Sequence, residues 1–211
     1  MKKNKIPSMT PTVVHDYLRE VGGAWTGQGV AMELGSWLGA SAVPLLEGLV
    51  KAGYDRPFYC YDTWRANKEQ VGKAACVDVK IKNDQDLLPL FLRNVMPTYS
   101  NLIPSQNRIE NVIKKYKGGP IEICIFDAPK QDPIFNMAMR GVMPHFIPGV
   151  TILGLLDYYF YLDKPEKKKR LMAPVRFMET NAGYFTKLME WPVTQCSCVF
   201  FRYEKKLNLP L

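Results

Sequence analysis

Residues 30–46, VAMELGSWLGASAVPLL, constrain the chain more than any other stretch. Val30–Leu34 is a short apolar run that reads as a buried strand, Gly35–Gly39 reads as a glycine-containing turn, and Ala40–Val50 reads as the start of a helix. Together they form a corner suited to a small molecule. Glycine lets backbone approach a ligand, and the helix end offers unpaired N–H groups and a positive dipole to a carboxylate or phosphate. The spacing G-x-x-x-G is neither the dinucleotide G-x-G-x-x-G nor a P-loop with its Lys-Ser/Thr. Glu33, at the strand's end, would repel a pyrophosphate and attract an ammonium group. A ligand bearing both an amino group and a carboxylate therefore suits Glu33 on one side and Ser41 with the helix N–H groups on the other. The plainer alternative is an αβ turn with a surface glutamate.

Further apolar runs follow at Phe58–Tyr61, Ile121–Phe126 (IEICIF) and Val150–Leu156 (VTILGLL), with a shorter candidate strand at Tyr99–Ile103. Helical periodicity lies between them, at Pro11–Val21, Asp84–Val95 (in spite of Pro89), Arg108–Tyr116, Ile134–Phe146 and Glu166–Glu179. Thr10 is a candidate N-cap with Pro11 at the first helical position. Tyr184–Trp191 and Cys196–Tyr203, joined across Pro192, read as a hairpin. Strands apolar on both faces that alternate with helices predict a doubly wound α/β fold. The expected sheet is seven-stranded and mostly parallel, with a C-terminal antiparallel hairpin. A chain of 211 residues, 47% hydrophobic, suits one domain over 1–211, with polar residues 1–11 as a flexible arm.

Composition excludes several classes. No apolar run approaches the roughly 18 residues of a membrane span. The N-terminal MKKNKIPSMT has lysines without an apolar core after them, which argues against a secretory signal and for a cytoplasmic protein. Of the five cysteines, Cys60, Cys124, Cys196 and Cys198 fall in expected strands and Cys76 in a connection. Cys196-Ser-Cys198 would point to one sheet face but lacks the partners of a zinc site, so reduced thiols are expected. The net charge of +8 is compatible with nucleic acid, but the runs Lys2–Lys5, Lys114–Lys117 and Lys164–Arg170 read as solvated and are not interleaved with aromatics. Nucleic acid is thus disfavoured as a partner.

Four acidic residues, Glu33, Asp62, Asp127 and Asp157, stand at the carboxyl ends of candidate strands, where ligands bind in such sheets. Asp62 is placed to accept hydrogen bonds from ribose hydroxyls, or else caps a helix over Thr63–Val71. Asp127 and Asp157 suit a shared hard cation such as Mg²⁺. Lys130, near a metal and partly desolvated, is a candidate general base.

With these residues assembled, the chain resembles class I S-adenosylmethionine-dependent methyltransferases. Within them it looks most like the catechol/caffeoyl-CoA O-methyltransferase group and the macrolide and sugar O-methyltransferases. The resemblance spans about residues 12–160 and rests on MELGSWLGASA (32–42), YDTW (61–64), IPSQNRIENVIKKY (103–116) and IFDAPK (125–130). It implies that Glu33, Gly35, Ser36, Trp37, Gly39 and Ser41 hold the methionine part of the cofactor. Asp62 with Thr63 would hold the ribose, Ser105 with Gln106 the adenine, and Asp127 would border the same site. Asp127 and Asp157 would be metal ligands, Lys130 the catalytic base, and His15, on the N-terminal helix, a second candidate base. The chain departs from the pattern in three places. Leu156-Asp157-Tyr158 supplies one metal ligand fewer than usual, Asn107 replaces an aspartate, and Pro129 restricts Ala128 before the lysine. His145 reads as a packing residue, and Trp64, Tyr158, Tyr159 and Tyr161 as core or as an aromatic pocket.

The implied activity is S-adenosylmethionine-dependent O-methylation of a small-molecule or sugar hydroxyl, with Mg²⁺ as a possible aid. One alternative is a nucleic-acid methyltransferase, although Asp-Ala-Pro-Lys replaces the Asp/Asn-Pro-Pro-aromatic of amino-methylating enzymes. Another is a non-catalytic cofactor-binding relative, suggested by the missing metal ligand. Acceptor contacts would come from 1–25, 65–97 and 158–183, and the hairpin and N-terminal helix suit a homodimer.

Overall fold

The computed structural model describes residues 6–75, 79–113, 116–191 and 196–207. Its strands are β1 Val30–Leu34, β2 Phe58–Asp62, β3 Leu102–Gln106, β4 Ile121–Phe126, β5 Ile152–Leu155, β6 Phe185–Glu190 and β7 Val199–Tyr203. They form one seven-stranded sheet in the order β3-β2-β1-β4-β5-β7-β6. The first five run parallel, and β7 is antiparallel to both β5 and β6. This is the expected α/β fold, mostly parallel with a C-terminal antiparallel hairpin.

The helices are α1 Thr12–Gly23, α2 Ala42–Lys51, α3 Lys68–Ala75, α4 Leu88–Val95, α5 Ile109–Val112, α6 Ile134–Val142, α7 Lys168–Leu171 and α8 Ala173–Thr180. Every residue of β1 and β4 is buried, because helices cover both faces of the sheet at its centre. On one face Ala31, Ile123 and Ile125 pack with Leu18 of α1, Leu45 and Leu49 of α2 and Phe91 of α4. On the other, Met32, Leu34, Cys124 and Phe126 pack with Phe135 and Met139 of α6 and Met178 of α8. The alternation of side chains along a strand produces this division. No helix among the described residues is long and apolar enough to cross a membrane.

Several boundaries differ from the sequence expectation. Pro11, not Thr10, occupies the N-cap of α1, and no side chain caps it; the Thr10 N–H instead donates to Ser8 Oγ at 3.0 Å. Of the expected flexible arm, Pro7 is buried and Ile6 packs against the core; residues 1–5 lie outside the described residues. Thr63–Val71 is not a helix from its start, since α3 begins at Lys68, and α4 begins only at Leu88, which puts Pro89 harmlessly in the first turn. The third strand lies three residues later than expected. It is a half-exposed edge strand, where Pro104 is tolerated and the apolar signal is weak. Glu166–Glu179 breaks into a 3₁₀ turn, α7 and α8, with Pro174 in the first turn of α8. Cys196 and Cys198 precede β7 instead of lying in it. Cys76, Lys114 and Pro192 lie outside the described residues.

Candidate functional site

The five parallel strands end on one side of the sheet, so their order decides which polar residues meet. Leu34 pairs with Tyr61 and Phe126, Asp62 with Gln106, and Phe126 with Leu155. Gln106, Asp62, Glu33, Asp127 and Asp157 therefore form a row across β3, β2, β1, β4 and the end of β5. Carboxyl ends at this position are where open α/β sheets take ligands.

The turn after β1 has little freedom. Gly35 has φ +103°, and a Cβ there would lie 2.5 Å from Ala128 Cβ and 2.6 Å from Ala128 N. The Leu34 carbonyl accepts the N–H groups of Asp127 and Ala128 at 2.9 and 3.0 Å, which clamps the turns after β1 and β4 together. Two tryptophans adopt left-handed backbone, Trp37 at φ 36° and Trp64 at φ 44°. Asp62 holds both: its carboxylate accepts Trp37 N–H at 2.9 Å and Trp64 N–H at 2.7 Å, and Trp64 Nε1 donates to the Trp37 carbonyl at 2.8 Å. Strained backbone maintained by converging hydrogen bonds marks a pre-organised site. Thr63 adds a long contact from its hydroxyl to Asp62, 3.4 Å.

Glu33 has no solvent exposure. Its Oε1 accepts the Ser41 hydroxyl at 2.5 Å, while Oε2 has no partner among the described residues. Burial raises its pKa to about 7, against the pull of the Ser41 hydroxyl. Ser41 sits at the N-cap of α2 without capping it, because its hydroxyl is turned to Glu33. Burial also raises Asp62, opposed by the Trp64 and Trp37 N–H groups. Asp127 is raised by burial, and then by Asp157 and Glu33 nearby, with Lys130 opposing. Carboxylates that are buried or half-buried and crowd one another in this way are stabilised by a cationic ligand. The surface-glutamate alternative for Glu33 is excluded. At the edge of the row Gln106 is exposed and donates to Asp86 at 2.8 Å, and Ser105 is half-buried.

Beside this row opens a cleft of about 600 Å³, walled by Met9, Thr10 and Pro11 of the N-terminal arm and by Asp127, Lys130 and Asp157. Lys130 is ion-paired with Asp157, and its Nζ lies 4.3 Å from the centre of the Phe160 ring. That pair changes the metal expectation. The ammonium group already neutralises Asp157, one of the two carboxylates expected to share a cation, and no cluster of three or more His, Cys, Asp or Glu side chains among the described residues could hold a metal. The donor set does not fit Mg²⁺.

His15 is not on the cleft wall; its Nε2 lies 3.1 Å from Ser8 Oγ, and burial lowers its pKa. His145 packs edge-on against Tyr116, with ring centres 4.8 Å apart. Tyr158, Tyr159 and Tyr161 do line a separate pocket of about 360 Å³ against β6 and α8, whereas Trp64 is core. Sequence reasoning missed Glu122. This buried carboxylate accepts the N–H groups of Thr26, Gln28 (2.8 Å) and Gly29 (2.9 Å) and so fixes the entry to β1. It also missed Asn94, which ties α4 to the glycine turn through the Leu38 carbonyl at 3.0 Å. Glu122 sits inside an apolar strand, IEICIF, and a charged residue there was the available signal.

No protein-family profile matches the chain, and no curated protein matches it. Solved structures do. The O-methyltransferase NovP superposes with a TM-score of 0.63 at 10% identity, over 90% of this chain and 79% of that one. An rRNA methylase from Streptococcus thermophilus superposes with 0.52 at 16% identity, over 94% and 99%. The N-methyltransferase NodS from Bradyrhizobium japonicum, in complex with S-adenosyl-L-homocysteine, superposes with 0.55 at 12% identity, over 94% and 90%. At these identities the likeness establishes a shared fold.

Proposed function

We propose that this chain is an S-adenosylmethionine-dependent methyltransferase whose acceptor is a hydroxyl of a small molecule or sugar. The observation that carries the reading is the row of carboxylates, Glu33 fully buried and Asp62 and Asp127 half-buried, beside a glycine turn clamped by Asp62. Glu33, with one oxygen unpartnered, suits the amino group of the methionine part, and the Gly35–Gly39 turn with the start of α2 suits its carboxylate. Asp62, with Thr63, suits the ribose hydroxyls, and Ser105 and Gln106 suit the adenine edge. One neighbour of this fold is solved in complex with S-adenosyl-L-homocysteine, which supports a cofactor of this class. When bound, the cofactor supplies a methyl group on a sulfonium centre.

The remaining work falls to this chain's own residues. The cleft holds the acceptor oxygen in line with the cofactor site, and alignment of that kind supplies a large part of a methyl transfer's acceleration. Lys130 and Asp157 handle the proton as a pair. The ammonium donates a hydrogen bond to the acceptor oxygen, and the carboxylate beside it takes up the proton. Lys130 thus acts through its partner instead of as a solitary base.

Calorimetric titration with S-adenosylmethionine and S-adenosylhomocysteine tests the reading. Micromolar binding by the wild type, weakened at least about tenfold in Asp62→Ala through loss of charge-assisted hydrogen bonds, is expected. No binding of either compound would refute it.

A second reading, a nucleic-acid acceptor, draws on the +8 net charge and on the exposed run Lys164–Arg170, of which Lys164 and Lys167 line the cleft. Affinity for RNA or DNA that falls steeply with salt would favour it over the small-molecule acceptor.

A further inference from the structure

Cys196 and Cys198 have no part in methyl transfer, yet both line the cleft that contains Asp127, Lys130 and Asp157. The chain bends at Ser197, before β7 begins, so the two cysteines flank the bend in one wall of the cleft. The Cys198 thiol, two residues along the chain from Cys196, donates its one proton to the Leu156 carbonyl at 3.1 Å. Cys198 is 3% exposed, whereas Cys196 is half-buried and reachable from the cleft. We propose that Cys196 and Cys198 form a redox-sensitive dithiol in the cleft wall, in which Cys196 reacts with a hydroperoxide and Cys198 resolves it to a Cys196–Cys198 disulfide.

The environments of the two sulfurs assign the roles. Cys196 is the more exposed thiol of the two, and its interaction with Cys198 lowers its pKa, which makes it the readier thiolate. The neighbouring Cys196, burial and the nearby Asp127 and Asp157 raise Cys198, which keeps its proton. In the first step the Cys196 thiolate attacks the O–O bond of the hydroperoxide. An S–O bond forms, and the departing alkoxide or hydroxide takes a proton to leave as alcohol or water. In the second step the Cys198 sulfur attacks the sulfenic acid at Cys196. The S–S bond forms, the S–O bond breaks, and the hydroxyl leaves as water with the Cys198 proton. Two thiols and one hydroperoxide become one disulfide, one water and one alcohol or second water; a dithiol reductant reverses the change. Oxidation removes the Cys198 hydrogen bond to Leu156, the residue next to Asp157, and so reaches the Lys130–Asp157 pair.

The test treats the full chain, in a Cys76→Ser background, with hydrogen peroxide and maps the products by mass spectrometry. The expected product lacks two hydrogens within the peptide containing residues 196–198 and regains them with dithiothreitol. In Cys198→Ser the reaction should stop at a sulfenic acid on Cys196 that dimedone traps, and in Cys196→Ser no disulfide should form. Oxidation of Cys196 straight to sulfinic acid without the disulfide would overturn the proposal, as would equal dimedone labelling of the parent and Cys198→Ser. Should either serine variant fail to fold, alkylation of the parent protein decides. Iodoacetamide should modify Cys196 well before the fully buried Cys60 and Cys124, and equal rates would refute the assignment.

Discussion

Gly35→Ala tests the geometry of the ligand corner directly. Gly35 has φ +103°, where an L side chain is strained by about 1–3 kcal/mol. Its new Cβ would also stand 2.5 Å from Ala128 Cβ and 2.6 Å from Ala128 N. Ala128 has little room to retreat, because its N–H is held by the Leu34 carbonyl at 3.0 Å, and overpacking of this kind costs about 1–3 kcal/mol. The two effects predict a loss of roughly 2–6 kcal/mol, or about 4–24 °C in Tm at about 2–4 °C per kcal/mol for a chain of this size. Gly53→Ala is the control. Gly53 has φ +82° with nothing within 4 Å of an added Cβ, so it carries the backbone strain alone. Urea and thermal unfolding by circular dichroism would measure both variants, and calorimetry with S-adenosylmethionine would show binding lost in Gly35→Ala and kept in Gly53→Ala. If the two variants unfold within about 0.5 kcal/mol of each other, the close approach to Ala128 is not real and the reasoning fails.

Glu33 carries a pH signal of defined sign. Its pKa rises from 4.5 to about 7 on folding, so its contribution is fully present below 4.5 and is lost as pH rises through 7, by up to about 3 kcal/mol. Glu33→Gln should therefore flatten the stability profile between pH 4.5 and 7 and be the more stable protein at pH 8 in urea titrations. An ammonium ligand favours the ionised form, so cofactor binding to the wild type at pH 6 should release protons, seen as a buffer-dependent binding enthalpy. Lys130→Met should leave cofactor affinity unchanged and lower turnover about 10²-fold or more once an acceptor is found, since it removes the proton-handling pair. Glu122→Ala should cost about 3 kcal/mol in unfolding experiments, because it leaves the N–H groups of Thr26, Gln28 and Gly29 without their shared acceptor.

Much of the fold was legible in local pattern. Val30–Leu34 and Ile121–Phe126 matched their strands end to end, because strands buried on both faces are continuously apolar and stop at polar or glycine residues. Legibility fell where burial fell. The half-exposed edge strand β3 has Pro, Ser and Gln in its last three positions and reads from the sequence as starting three residues too early, and the lysine-rich stretch Glu166–Glu179 reads as one helix although it is a 3₁₀ turn, α7 and α8. The acidic strand ends and the glycine turn were legible because the chemistry is written in residue type and spacing. The partners of those residues were not.

What the sequence determined by itself is the alternation of buried strands and helices, and with it the fact that Glu33, Asp62, Asp127 and Asp157 fall at strand ends. What only the tertiary structure decided is which of them meet and in what state. The strand order sets Asp62, Glu33 and Asp127 side by side, and burial raises the pKa of each. Ser41 is turned away from capping α2 toward Glu33, and Lys130 is drawn onto Asp157 as an ion pair. The physical reason is that a residue's pattern is local, whereas desolvation and charge pairing depend on neighbours that only the assembled sheet brings within reach.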